Sequence, residues 1–229
     1  MLADVKTLEA NGVYGMAVVT ALTWQNDTEF DKVEWVDADR IISQVAVLLR
    51  RFAIRYFKIG LIENVATLTK VVDYLEEAVQ EPVIVFDPIL RASAGYSFHS
   101  GNALAGLLSR FYCVTPNIPE AQQLLGDTDV AALLPGYAGH THIYLKGGHS
   151  DEATATDVLY TREGSYAFAQ PRLANGAKHG SGCVLSSALT AQLALGHDVV
   201  TAAKRANAYT HRYLGSSDTL LGHHQHTET

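Results

Sequence analysis

Residues 56–88 read YFKIGLIENVATLTKVVDYLEEAVQEPVIVFDP, and this stretch decides the fold. Tyr56–Gly60 is a short, mostly apolar strand stopped by glycine. Val65, Leu68, Val71, Val72 and Leu75 then recur at helical spacing and line one face. Pro82–Phe86 is a continuous apolar run that ends at Asp87-Pro88, as a strand buried on both faces does. A strand, a helix and a second buried strand in about thirty residues predict a βαβ unit with parallel strands and a right-handed crossover.

The same alternation extends in both directions. Upstream, Ala3–Asn11 reads as a helix stopped by Gly12, and Val13–Thr23 reads as a strand covered on both faces. Asp37–Phe52 places Ile41, Val45, Leu48, Leu49 and Phe52 on one helical face, with Asp37 or Asp39 as the cap. Downstream, a helix is predicted over Ala103–Phe111, a strand over Tyr112–Thr115, a short helix over Pro119–Leu125 and a strand over His142–Lys146. Thr156–Thr161 and Ser165–Ala169 read as an antiparallel pair joined by Arg162-Glu163-Gly164. Two helices follow, Gly182–Leu195 and Val199–Leu214. The expectation is a single α/β domain over residues 1–215, its largely parallel central sheet flanked by helices. Residues 216–229 are expected to form a loose polar tail, and His223, His224 and His226 in it match no zinc spacing.

Composition narrows the function. The 229 residues are 48% hydrophobic and 18% charged, which suits a packed enzyme-sized domain and excludes disorder. A formal charge of −7 argues against a nucleic-acid or anionic-membrane partner. Cys113 and Cys183 make no disulfide framework, and the acidic start MLADVKTLEANG lacks the apolar core of a signal peptide. The longest apolar run, Val13–Trp24, is too short to span a bilayer. A soluble, cytoplasmic protein is expected.

Ligands of open α/β sheets gather beyond the carboxyl ends of the strands. Those ends carry Thr23-Gln25-Asn26, Lys58-Gly60, Asp87-Pro88, Thr115-Asn117 and Lys146-Gly147-Gly148. The strongest local signal is Lys178-His179-Gly180-Ser181-Gly182-Cys183 ahead of an apolar helix. Gly180 and Gly182 around Ser181 let successive backbone N–H groups turn to one point, where the helix start adds positive potential suited to phosphate. Cys183 then falls in the first turn, where the same field favours a thiolate. The pattern equally describes a glycine turn with Cys183 as a small core residue. Asn117 and Glu120 stand one turn apart at a helix start. With Asp87 they offer the oxygens that Mg²⁺ accepts when it also holds nucleotide phosphates, although Glu120 alone reads as a helix-dipole partner. Lys146 before two glycines can meet a phosphate as a point charge. The G-x-x-x-x-G-K-[ST] and G-x-G-x-x-G templates are both absent from the sequence.

In order along the chain stand Ala3-Asp4-Val5-Lys6-Thr7, Gly12-Val13-Tyr14-Gly15, Thr20-Ala21-Leu22-Thr23-Trp24-Gln25-Asn26, Lys58-Ile59-Gly60, Asp87-Pro88, Thr115-Pro116-Asn117-Ile118-Pro119-Glu120-Ala121, Leu145-Lys146-Gly147-Gly148-His149 and His179-Gly180-Ser181-Gly182-Cys183. Together, from Ala3 to about Tyr213, they resemble the hydroxymethylpyrimidine/phosphomethylpyrimidine kinases of thiamine biosynthesis, within the ribokinase-like superfamily. The resemblance implies ATP and Mg²⁺ as cofactors and a small pyrimidine as substrate. It implies Gln25 and Asp4 at the pyrimidine, and Cys183, with Gly180, Ser181 and Gly182, at the hydroxyl that is phosphorylated. Lys146 would approach the transferring phosphate together with Asn117, and Asp87 and Glu120 the metal. A homodimer is expected. Ser181 stands where the family more often has threonine. Family members carry a buried strand and a Ser/Gly/Asp-rich loop before the A-D-x-K-T stretch, whereas this sequence opens at Met1-Leu2-Ala3-Asp4, so a sheet without the family's first strand is expected. The alternatives are a pyridoxal kinase-like vitamin kinase and, because that substrate loop is missing, a non-catalytic homologue. A cysteine hydrolase using Cys183 and His179 lacks a third positioned member.

Overall fold

The computed structural model describes residues 1–90, 104–126, 130–147, 154–174 and 176–226. Gly148, His149 and the first residue of the helix expected over Ala103–Phe111 lie outside the described residues. In chain order the elements are α1 (Leu2–Ala10), β1 (Ala21–Gln25), β2 (Phe30–Trp35), α2 (Ala38–Leu49), β3 (Tyr56–Ile59), α3 (Val65–Ala78) and β4 (Val83–Phe86). A 3-10 turn over Ala105–Arg110 leads into β5 (Cys113–Val114), α4 (Ile118–Leu125), α5 (Val130–Tyr137), β6 (His142–Leu145), β7 (Thr154–Thr161), β8 (Gly164–Pro171), α6 (Ser181–Ala194) and α7 (Val199–Leu214).

The sheet order is β3-β4-β5-β6-β7-β8. β3 to β6 run parallel, and β7 and β8 complete the sheet as an antiparallel pair in register from Thr154↔Pro171 to Thr161↔Gly164. Side chains alternate across this sheet as its pleat requires. Val85, Cys113, Tyr144 and Leu159 pack on α6 and α7. Ile84, Phe86 and Val114 pack with Ile41 of α2 and with Leu68, Val72 and Leu75 of α3 on the opposite face. The result is helices on both sides of a buried, mostly parallel sheet. Helix α6 is buried along Val184–Leu193 without a solvent-exposed face, because α1, α7 and the sheet cover it.

Local signals end the helices as expected. Asp37, and not Asp39, caps α2 by accepting from the Arg40 amide. Gly12 follows α1 at φ +78°, a left-handed conformation that only glycine takes without strain. The long apolar segment is different. Val13–Thr23 is not a strand covered on both faces: only Ala21–Gln25 is extended, as half of a separate two-stranded ribbon with β2. Leu22 and Trp24 there are 51% and 42% exposed. Upstream of the ribbon, the Val19 N–H donates to Gln44 Oε1 at 3.1 Å and the Val19 carbonyl accepts from Gln44 Nε2 at 3.1 Å. A side-chain amide thus takes the place of a neighbouring strand. Phe52, expected on the buried face of α2, lies past its end and is exposed.

Residues 216–226 do not run free either. The Leu220 carbonyl accepts from the His179 N–H at 2.8 Å, and Gly222 lies flat against the Tyr213 ring. His224 lies beside Tyr209 and Tyr213, with Nδ1 2.9 Å from the Tyr209 hydroxyl. The tail is held because α1 and α7 present aromatic and hydroxyl partners to it. Among the described residues no helix is long and apolar enough to cross a membrane.

Candidate active site

Each parallel strand delivers one polar side chain at its carboxyl end, and the main-chain ladder fixes where. Asp87 N donates to the Ile59 carbonyl at 2.9 Å, Thr115 N to Phe86 at 2.9 Å, and Lys146 N to Pro116 at 2.9 Å. Pairing therefore runs one step past β4, β5 and β6, and Asp87, Thr115 and Lys146 stand side by side. Lys146 Nζ lies 2.9 Å from Asp87 Oδ1 and 3.5 Å from Glu120 Oε2. Asp87 also accepts from Thr115 Oγ1 and Ser186 Oγ, each at 3.3 Å. Burial alone would push the Asp87 carboxyl up, but Lys146 and then Lys58 hold it below the usual carboxylate range. Burial, with Asp87 adding, pushes Glu120 up against the pull of Lys146.

Asn117 and Glu120 form a reciprocal capping box at the start of α4. Asn117 Oδ1 accepts from the Glu120 amide and Glu120 Oε2 from the Asn117 amide, both at 2.8 Å. Glu120 Oε2 thus caps the helix, as its helix-start position led one to expect, and also faces Lys146.

Above these residues begins α6. Gly180 is its N-cap at φ +78° and supplies no side-chain cap, so the first-turn N–H groups are not met by a capping side chain. A Cβ on Gly182 would come within 3.2 Å of Lys146 Nζ and 3.8 Å of Asp87 Oδ2, which places the helix start directly over the cluster. From α1, Asp4 Oδ1 accepts from Lys58 Nζ at 2.9 Å and from Ser187 Oγ at 2.8 Å. Burial would raise Asp4, yet Lys58 beside it holds the carboxyl well below the usual range.

Cys183 requires a correction. It lies in the first turn of α6, but burial pushes its thiol up to about 11, against the opposing pull of Lys58. The group is a thiol at neutral pH and not a thiolate, because loss of hydration outweighs the pull of Lys58. At pH 7.5 iodoacetamide should label Cys183 about 300-fold more slowly than an unperturbed thiol near 8.5. Cys113, fully buried and pushed up to about 12, should be slower still. Mass-spectrometric mapping reads both rates, and labelling of Cys183 at the free-thiol rate would contradict the burial argument.

The structure thus gathers Asp4, Asp87, Asn117, Glu120, Lys146, Gly180, Ser181, Gly182 and Cys183 around one point. It leaves Gln25 apart, exposed at the end of β1 with Nε2 donating to Thr23 Oγ1 at 3.0 Å. Sequence reasoning placed Lys58 at the carboxyl edge of the sheet without giving it a role, and it missed Ser186 and Ser187 as members of the cluster. It also missed Asp157 on β7, which accepts from the Gly147 N–H at 2.7 Å, Tyr144 Oη at 2.7 Å and Asn207 Nδ2 at 2.8 Å. Asp157 thereby anchors the turn that follows Lys146.

Among the described residues no three His, Cys, Asp or Glu side chains gather as a metal cage. Asp87 and Glu120 are two hard oxygen donors sharing one lysine. Such a set fits an ion held mainly by nucleotide phosphates and water, as Mg²⁺ commonly is.

The α/β sheet with Lys146, Asp87 and Glu120 under a glycine-capped helix start has the fold of the ribokinase-like kinases. The chain belongs to the phosphomethylpyrimidine kinase family, whose sequence profile matches residues 1–228. It is 31% identical over 230 residues to the hydroxymethylpyrimidine/phosphomethylpyrimidine kinase of Aquifex aeolicus, covering 96% of this chain and 90% of that one. Identity to the protein of the same name from Escherichia coli K12 is 32% over 234 residues, covering 96% and 88%. Among solved structures, the phosphomethylpyrimidine kinase of Clostridium difficile 630 superposes with a TM-score of 0.74 at 29% identity, covering 91% and 90% of the two chains. A pyridoxal kinase from Bacillus subtilis, solved as an ADP complex, gives 0.78 at 26% identity, covering 91% and 83%.

Proposed function

We propose that this chain transfers the γ-phosphoryl group of ATP to the hydroxymethyl oxygen of 4-amino-5-hydroxymethyl-2-methylpyrimidine, and then to the resulting monophosphate. The observation that carries the reading is the Lys146–Asp87–Glu120 group facing the glycine-capped start of α6 in a chain of this family. The nucleotide reading is supported by the ADP complex of the related pyridoxal kinase. Lys146 neutralises the transferring phosphate, and the first-turn N–H groups of Ser181, Gly182 and Cys183 receive its oxygens. Asp87 and Glu120 would hold Mg²⁺ alongside those phosphates, where the ion supplies charge neutralisation. Asp4 and Gln25 hold the pyrimidine, Gln25 once the β1–β2 ribbon closes over it. The substrate oxygen bonds to the γ-phosphorus as the bond to the ADP bridging oxygen breaks. Cys183, a thiol, hydrogen-bonds the hydroxyl without taking its proton. In a loose transition state that proton is lost late, to a phosphoryl oxygen or water, so no strong base is required. The protein is taken to work in the cytoplasm as a homodimer.

The fold is also that of pyridoxal kinases, and Gln25 is the residue that separates the two readings. Its amide offers a donor and an acceptor to an aminopyrimidine edge, whereas pyridoxal has no exocyclic amine. The test is ATP-dependent turnover of the hydroxymethylpyrimidine against pyridoxal by the wild type and Gln25→Met. The variant should bind the pyrimidine about 10–100-fold more weakly by calorimetry, one or two lost pairings of ~1.4 kcal/mol each. Preference for pyridoxal would favour the vitamin kinase, and turnover of neither compound a non-catalytic homologue.

A further inference from the structure

Two lysines reach the cluster from opposite sides. Lys146 comes from the end of β6 and contacts Asp87 and Glu120. Lys58 comes from β3, is only 8% exposed, and pairs with Asp4 Oδ1 at 2.9 Å. Its ammonium folds back over Gly60, where a Cβ would stand 2.5 Å from Nζ. Burial alone would lower that ammonium, and its proximity to Cys183, Asp4 and Asp87 raises it above the usual lysine value. The catalytic reading above uses Lys146 for the nucleotide and Asp4 for the ring. It assigns Lys58 nothing.

The two acceptors of the proposed sequence differ in charge at one place. The first is a neutral alcohol beside Cys183. The second carries a phosphomonoester dianion there, while the α6 N–H groups and Lys146 are occupied by the γ-phosphate. Bringing a second dianion into a half-buried site without a further cation is costly. We infer that Lys58 is the residue that holds the acceptor's phosphate, and so determines whether the chain performs the second phosphorylation. An ammonium has three donors, so Nζ can meet the monoester while it keeps Asp4. In that step a monoester oxygen bonds to the γ-phosphorus as the bond to the ADP bridging oxygen breaks. No proton is removed from the acceptor, and the contribution of Lys58 is purely electrostatic.

This inference rests on the pyrimidine-kinase reading, and the experiment separates the two. Lys58→Gln keeps a donor for Asp4 but removes the charge, and Lys58→Arg keeps the charge. The wild type and both variants are assayed with ATP on the hydroxymethylpyrimidine and on its monophosphate. Lys58→Gln should lower kcat/KM for the monophosphate by about 10–100-fold, as for one lost charged hydrogen bond. It should lower that for the alcohol several-fold less, and Lys58→Arg should recover most of the difference. Equal losses on both acceptors would show a merely structural lysine and overturn the inference. If the wild type turns over neither compound, the kinase reading fails, and calorimetric binding of the two compounds decides about Lys58. A preference for the monophosphate that Lys58→Gln abolishes supports its role, and no preference overturns it. Should Lys58→Gln not fold, the Nζ resonance of ¹⁵N-lysine wild type, assigned with Lys58→Arg, replaces it. A shift with the monophosphate beyond that with the alcohol supports the inference, and its absence overturns it.

Discussion

Lys146→Met should cost about 10³-fold in kcat with ATP and the hydroxymethylpyrimidine, the upper end of what one transition-state donor contributes. The loss follows from position. Lys146 Nζ stands 2.9 Å from Asp87, 3.5 Å from Glu120 and beneath Gly182, where the transferred phosphoryl group is proposed to pass. Lys58, the other lysine of the cluster, is engaged by Asp4 at 2.9 Å. The variant should also lose stability, and the sign of its pH dependence is defined. Asp87 has a depressed folded-state pKa, so its contribution is present above the unfolded value near 3.9 and is lost as pH falls through the folded one. Without Lys146 most of that contribution disappears at neutral pH. The melting temperatures of wild type and variant should therefore converge as the buffer is taken below about pH 4. Single-turnover phosphoryl transfer and melting curves at several pH values read the two effects. A variant that keeps turnover within tenfold of wild type would remove Lys146 from the transfer step.

Among the described glycines, Gly147→Ala should be the most damaging substitution to alanine. A Cβ there would lie 1.7 Å from the Thr156 carbonyl oxygen and 2.5 Å from its carbon, a collision with backbone that no rotamer relieves. The turn must move, and the 2.7 Å bond from the Gly147 N–H to Asp157 breaks with it. Asp157 is then left without one of the three donors that hold it between β6, β7 and α7. A loss of about 3 kcal/mol or more is expected. For a chain of this size that lowers Tm by roughly 6–12 °C. Lys146, one residue earlier, should be displaced too, so turnover falls in the fraction that remains folded. A Tm within a degree or two of wild type would mean that the turn has room the geometry does not show.

Much of this molecule is written locally. The βαβ alternation, the glycine that stops α1, the aspartate that caps α2 and the capping box of Asn117 and Glu120 all depend on residues within a few positions of one another. The antiparallel pair is equally legible, because the period-two pattern and the turn at Arg162-Glu163-Gly164 lie in one short stretch. Helix α5 was not read, since Pro135 and Gly136 inside Val130–Tyr137 are breaker signals that the packing of Val130 and Leu134 overrides. The polar residues at strand ends also followed from sequence, because a parallel sheet must turn its strand ends toward a common edge.

What the sequence alone determined is therefore the order of elements, their caps, and which polar residues stand at the sheet's carboxyl edge. Only the tertiary structure decided the rest. The segment 13–20 stays out of the sheet because Gln44, from α2, takes the hydrogen bonds of Val19. The tail is docked because α1 and α7 bring Thr7, Tyr209 and Tyr213 within reach of His224. Cys183 is a thiol because burial outweighs the pull of Lys58, and Lys58 is held in the site because α1 carries Asp4 to it across 54 residues of chain. Hydrogen-bond partners and the hydration of charges are set by groups distant in sequence. Periodicity and capping carry no information about which of those groups will arrive.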